Sequence, residues 1–317
     1  MKEIKPFKTV DEQLKLLESR GVLVSDRARA KRFLLTENYY SVVNGYKDAF
    51  LDPDKTNQNH EVYREGTSFE LFIYLYTFDK SLRRIALSAL LDAEEAMRAV
   101  SIYAFCERNP GHEDYLDPIC YSSSSDFNSK RYYSKNIIRL LSTLQSLSSN
   151  SQHKEHIAHY IKQHRCVPLW VLSRCITFGS MSSFFELQKL PIKQASCRYL
   201  EQSTGVAITP KQMQRAYKVL SQFRNICAHG ERFYCARVGR NKENSFHELV
   251  ELLALVLPSK RMSEFAKKVD ECLALVCDTD IEDVDRMGQD LLSKMRVTRE
   301  FIGSFIQQET PAVNANE

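Results

Sequence analysis

From Phe69 to Arg108 the chain runs for about 40 residues with neither a glycine nor a proline. Phe72, Ile73, Tyr76, Leu82, Ile85, Ala86, Ala89, Leu90, Ala93 and Met97 recur there at helical spacing. Ser68 stands where a cap is needed and Asn109-Pro110 ends the run. A single helix of that length spans about 60 Å at 1.5 Å per residue, so the rest of the fold must pack along it. Glycine and proline are scarce throughout, at 10 and 9 in 317 residues, which argues against a β-sandwich or another turn-rich fold. No alternating strand pattern and no internal repeat is present. The fold class predicted is therefore all-α.

Flanking helices are predicted on the same grounds. Val10 to Ser19 carries Leu14, Leu16 and Leu17, and Ser25-Asp26 can cap a helix through Thr36. Asn38 to Tyr46 is short and aromatic, and Asp52 to Gly66 is a polar loop. Asn109 to Lys130 reads as loop, and Ile137 to Leu147 as an amphipathic helix. Pro168 opens a helix that runs to Gly179 and resumes from Ser180 to Leu190. Thr209-Pro210 opens another, which Gly230 is placed to stop. Leu249 to Leu257, Met262 to Cys277 and Asp283 to Gln307 supply the C-terminal helices.

Composition narrows the class of protein. No run of about 18 apolar residues is present, so no membrane-spanning helix is expected, and the first residues lack an apolar signal core. Nine cysteines, an odd number without a CxxC pair, read as reduced thiols and point to the cytoplasm. No Walker loop or GxGxxG is present. The formal net charge is only +4, yet Arg224, Arg232, Arg237, Arg240 and Lys242 face a single acid, Glu231, within one segment. That local excess equals the excess of the whole chain. It suits a phosphodiester partner as well as it suits a solvated surface.

Inside that segment Arg224-Asn225-Ile226-Cys227-Ala228-His229 spells Arg-x4-His, followed by Gly230-Glu231-Arg232. A fixed cation, an amide and an imidazole lie within about two helical turns. They can bind a phosphate and move a proton. At about 100° per residue, Asn225 and His229 share a face whereas Arg224 and His229 diverge by roughly 140°. Gly230 or a second subunit must help bring those two groups to one phosphate. The plain alternative is a surface ion pair for Arg224 and a His229 that caps its own helix. Second-tier candidates are the i, i+4 pairs Asp79–Arg83 and Glu94–Arg98 on the long helix. They are either simple ion pairs or supports in which Glu94 or Arg98 orients Arg224 or His229. His153, His156, His159 and His164 cluster without a zincin glutamate and read as a polar face, so no metal site is expected. Cys227 reads as a small buried residue and Trp170 as core packing, with base stacking the alternative for Trp170.

The string Arg224 to Phe233 resembles the signature of bacterial abortive-infection proteins of the AbiD/AbiF type. The resemblance extends in order along the chain. It takes in Lys5-Pro6-Phe7, Glu12-Gln13-Leu14, Arg20-Gly21, Asn38-Tyr39-Tyr40 and Asn44-Gly45-Tyr46 with Phe50. It continues through Gly66 to Phe69, Tyr76, Phe78-Asp79, Leu82-Arg83, Glu94 with Arg98, Pro168-Leu169-Trp170 and Thr177-Phe178-Gly179. Arg174 departs from the Glu or Asn seen in many relatives, which puts the partner of its helix in doubt. The resemblance implies a HEPN-like helical bundle with additional N- and C-terminal helices. Residues 1–66 would form an N-terminal helical extension and 67–245 the core carrying the motif. Past about residue 245 the resemblance stops, and the sequence pattern alone gives 246–309 as C-terminal helices packing on that core and 310–317 as a disordered tail. The resemblance further implies anti-phage abortive infection by a metal-independent endoribonuclease that cleaves RNA by 2′-hydroxyl attack and needs no cofactor. Arg224, Asn225 and His229 would be catalytic, with Arg232, Asp79, Arg83, Glu94 and Arg98 binding RNA or supporting. A homodimer with a composite site is expected, with an antitoxin or guide RNA as a possible further partner and no membrane. The rival is a non-catalytic RNA-binding or regulatory HEPN protein acting through a partner.

Overall fold

The computed structural model describes residues 6–57, 60–149, 155–278 and 282–306. The helices in chain order are α1 (Val10–Ser19), α2 (Arg27–Glu37), α3 (Phe69–Arg108), α4 (Lys130–Ser149), α5 (Glu155–His164), α6 (Leu169–Leu172), α7 (Phe178–Leu187), α8 (Leu190–Thr204), α9 (Pro210–His229), α10 (Phe246–Val256), α11 (Ser259–Cys277), α12 (Glu282–Met295) and α13 (Arg299–Ile306). A π-helical turn covers Tyr40–Asn44, and among the described residues only isolated β-bridges occur. The fold is all-α.

The spine, α3, forms between the bounds that its sequence pattern sets. Its buried stripe of Phe72, Leu75, Leu82, Ala86, Leu90, Ala93 and Met97 is fully excluded from solvent. Each large apolar side chain so buried contributes about 1.5–3 kcal/mol. Helices α8, α9 and α11 lie against α3, while α7 and α10 flank α9. The N-terminal residues pack onto the first third of the spine: the Phe50 ring lies 4.5 Å from Phe72, and Tyr46 lies 5.8 Å from Tyr76. Helix α11 packs on α3 as well, with Arg261 beside Asp92 and Cys272 beside Phe78, and it carries α12 and α13. One continuous apolar core joins all of these elements.

Several expectations shift. Ser68 occupies the N-cap of α3, but its side chain makes no capping hydrogen bond. The break after Pro168 falls earlier than Gly179. Helix α6 ends at Leu172, and Thr177 caps α7 by accepting from the Ser180 amide at 3.2 Å, which leaves Gly179 inside the first turn. The helix expected to reach Leu190 ends at Leu187, and a separate helix not expected from the sequence, α8, starts at Leu190, with Pro191 in its first turn and Gly205 as a left-handed cap at φ 73°. The last predicted helix is two. Arg296 takes φ 60°, and Thr298 starts α13 by accepting from the Phe301 amide at 3.1 Å. The tail 310–317 lies outside the described residues.

Candidate functional site

Helix α9 carries the motif, and two buried locks fix its position on the spine. The first is Tyr217, fully buried two turns before Arg224. Its hydroxyl donates to the Met97 carbonyl at 2.7 Å and meets Ser101 Oγ at 2.9 Å, which sets the register of α9 along α3. Burial pushes this phenol well above its usual range. The second lock holds the chain where it leaves α9. Gly230 adopts φ 70° and ends the helix, and the Glu231 amide returns to the Ile226 carbonyl at 3.1 Å. The buried Asp79 carboxylate then accepts from the Tyr234 amide at 2.7 Å, the Phe233 amide at 3.1 Å, the Tyr46 hydroxyl at 2.6 Å and Arg83 at 2.5 Å. Arg83 also donates to the Glu231 carbonyl at 3.1 Å. Burial pulls the Asp79 carboxyl up against these donors, while the adjoining carboxylate holds Arg83 protonated.

The two i, i+4 pairs on α3 thus do different things. Asp79–Arg83 anchors the segment behind the motif. Glu94–Arg98 touches the motif itself. Glu94 is 4% exposed, and it accepts from Arg224 Nε at 3.1 Å while also pairing with Arg98. Arg98 in turn donates to the Ile176 carbonyl at 3.3 Å, tying the site to the turn before α7. Of the two supports left open by the sequence, Glu94 is the one that orients the motif arginine. A buried carboxylate between two guanidinium groups fixes Arg224 far more firmly than an exposed pair would.

Asn225 is exposed and its amide oxygen accepts from Arg224 Nη1 at 3.2 Å, so the amide engages the arginine rather than the imidazole. His229 is the last residue of α9, is exposed, and its side chain makes no hydrogen bond or ion pair with any described residue. The α-helix runs intact through His229, so the divergence of Arg224 and His229 is kept. They open into two separate clefts on opposite flanks of the last turn. Arg224 borders a cleft of about 1290 Å³ shared with Arg98, Arg174, Tyr103 and Trp170. His229 borders one of about 840 Å³ shared with Tyr40, Lys80, Arg83, Arg232 and Lys242. Glu231 is the one acidic side chain lining that second cleft among the described residues.

The basic segment is divided in the same way. Arg232 pairs with Asp48 at 3.2 Å on the surface. Arg237 is half-buried at the edge of the His229 cleft and donates to the Lys294 carbonyl at 2.6 Å and to that of Ala236 at 3.0 Å, so it ties the segment to α12. Arg240 and Lys242 are exposed. Cys227 is buried, and burial raises its thiol to about 12. His153 lies outside the described residues, His159 and His164 are exposed, and no group of three metal-ligating side chains forms among the described residues. Exposed aromatics stand beside the motif on both flanks. Tyr40, 74% exposed, borders the His229 cleft, and Trp170, 47% exposed, borders the Arg224 cleft. Trp170 is therefore not core packing. Leu169 and Leu172 take the two inward positions of the short α6 and leave Trp170 facing out, a pattern that the sequence does carry.

Among the described residues no helix is long and apolar enough to cross a membrane. No curated protein and no solved structure matches the chain. A family model described as Abi-like protein matches residues 32–235. That stretch contains α3, α9, Glu94, the whole motif and the Asp79-held exit, while the resembling segment at Lys5 to Gly21 falls outside it. More than half of the chain lies within the match, and the chain belongs to the Abi-like protein family.

Proposed function

We propose that this protein is a metal-independent endoribonuclease of the HEPN type acting in abortive infection in the cytoplasm. The observation that carries the reading is the asymmetry of the last turn of α9. Arg224 is braced by a buried carboxylate, and His229, five residues on, stands exposed and unpartnered among the described residues in a basic cleft. A braced guanidinium is a preorganised donor for the charge that develops on a phosphorane. An accessible imidazole can exchange a proton at neutral pH.

In this scheme His229 removes the proton of an RNA 2′-hydroxyl, whose oxygen attacks the adjacent phosphorus. Arg224 and the Asn225 amide nitrogen stabilise the equatorial oxygens. The 5′-oxygen leaves with a proton, giving a 2′,3′-cyclic phosphate and a 5′-hydroxyl. Because Arg224 and His229 flank opposite sides of one helix turn, a single chain does not present both to one phosphate. The scheme takes a second copy packed against the end of α9, with the imidazole of one copy as base and that of the other as acid. Arg232 and Lys242 hold flanking phosphates.

The test is incubation of the purified full chain with RNA and mapping of the product ends. Cyclic phosphate and 5′-hydroxyl ends, made in the presence of EDTA and lost in His229→Ala, are expected. Cleavage that stops on chelation sinks the metal-free scheme. If His229→Ala protects cells against phage as well as the parent does, the protein acts as a binding or regulatory module instead.

A further inference from the structure

The Arg224 cleft contains more than the motif. Trp170 is the one tryptophan of the chain, and nearly half of it is open to solvent. Tyr103 stands across the same cleft on α3 and is 59% exposed. Neither ring hangs loose. The His112 ring lies 5.9 Å from Trp170, and the Trp170 backbone is held where its carbonyl accepts from Ser173 Oγ at 2.9 Å. Tyr103 is braced edge-on by Tyr199 at 5.1 Å, whose hydroxyl donates to Glu107 at 2.7 Å. Two braced aromatic rings thus share a cleft with three arginines, Arg98, Arg174 and Arg224, against two carboxylates, Glu95 and the Glu94 that braces Arg98 and Arg224.

Exposing large rings costs apolar burial, so a pair of them held in place beside arginines calls for an occupant with a flat π face and a negative charge. A single-stranded nucleotide has both, and aromatic side chains interleaved with arginines are how single strands are bound. The cleft volume of about 1290 Å³ exceeds the roughly 300–1,000 Å³ of a pocket that encloses one small ligand, which suits a passing strand. We infer that Trp170 is a stacking platform for the base next to the phosphate held by Arg224, with Tyr103 carrying the neighbouring base. This rests on the nuclease reading for the identity of the phosphate. It adds which flank of α9 the strand follows and that the bound RNA is unpaired. Trp170 is a positioning residue, remote from the proton transfers.

Having one tryptophan makes the test direct. The full-length protein is titrated with a 2′-O-methyl RNA oligonucleotide, which cannot be cleaved for want of the nucleophile, and binding is followed by anisotropy of a dye on the oligonucleotide. Tryptophan emission is recorded in parallel. Emission falls on saturation, and an oligonucleotide with an abasic site at one register binds without the fall. Trp170→Ala weakens binding about 5- to 100-fold, the range for one lost stack, while Trp170→Phe keeps most of it. With cleavable RNA, Trp170→Ala raises KM and leaves kcat within about twofold, and its melting temperature verifies that it is folded. Binding with unchanged emission, or Trp170→Ala binding like the parent, overturns the proposal. So does emission that changes with protein concentration alone, which assigns the face to a second copy of the chain. Quenching without any cleavage leaves the platform standing and defeats the nuclease reading.

Discussion

The two flanks of α9 are built on opposite terms. On one, Arg224 is tied through Glu94 to Arg98 and so to the turn before α7, and every group in that chain is at least partly buried. On the other, His229 is exposed and unpartnered among the described residues, with Lys242 exposed beside it. A cation that must hold a fixed geometry is placed where packing over-determines it. The group that gains and loses a proton in the proposed scheme is left in contact with water. The difference also locates the cost of each. Under the proposed scheme, disturbing the first flank disturbs the fold as well as the chemistry, and disturbing the second disturbs the chemistry alone.

The largest effect expected separates these terms. His229→Ala lowers RNA cleavage about 10²- to 10⁴-fold, the usual contribution of a positioned acid or base. It changes stability by no more than about 0.5 kcal/mol, as for an exposed residue without partners. Cleavage rates and urea denaturation of the same preparation check both halves. A variant that is inactive because it is unfolded breaks the comparison.

Next comes the lock behind the motif. Asp79→Ala leaves Arg83 and the amides of Phe233 and Tyr234 without their acceptor in a buried site. Removing one partner of a buried pair costs about 3–5 kcal/mol, so the urea midpoint falls steeply. Activity is lost with the fold and not ahead of it. A stable, inactive Asp79→Ala moves this carboxylate from scaffold to chemistry.

A smaller effect tests the brace itself. Glu94→Gln keeps the shape of the side chain and a hydrogen-bond acceptor for Arg224, and removes the charge between the two guanidinium groups. Cleavage falls about tenfold, near 1.4 kcal/mol, because Arg224 is less firmly oriented. Glu94→Ala falls further, and His229-dependent end chemistry is unchanged in both. If Glu94→Gln cleaves like the parent, Arg224 does not depend on the inner flank.

These contrasts also show what was legible in the sequence. The limits of α3 and α9 were, because Ser68, Asn109-Pro110, Thr209-Pro210 and Gly230 punctuate them and long apolar periodicity fills the space between. The roles of Asp79–Arg83 and Glu94–Arg98 were not. Both are i, i+4 acid–base pairs on one helix, and 15 residues apart they differ by only about 60° in facing. What separates them is about 22 Å along the axis, which puts the exit of α9 against one and Arg224 against the other. That is a property of how α9 docks, fixed by Tyr217 from another part of the chain. The split after Met295 was hidden for a local reason: an arginine, not a glycine, takes the left-handed position at φ 60°.

The smallest expected effect lies between the flanks. Cys227 sits two residues before His229 but on the inner face of the same turn, 8% exposed, with burial raising its thiol to about 12. A thiol raised in this way carries little thiolate, the form that reacts, at pH 8. Iodoacetamide in the folded protein therefore leaves Cys227 unmodified, as peptide mass mapping would show, and urea exposes it. Cys227→Ala alters cleavage by less than about twofold, since the side chain meets neither cleft. Rapid alkylation of the native protein would mean that the last turn of α9 opens in solution. The rigid inner face and the open outer face would then be two states of one segment and not two sides of it.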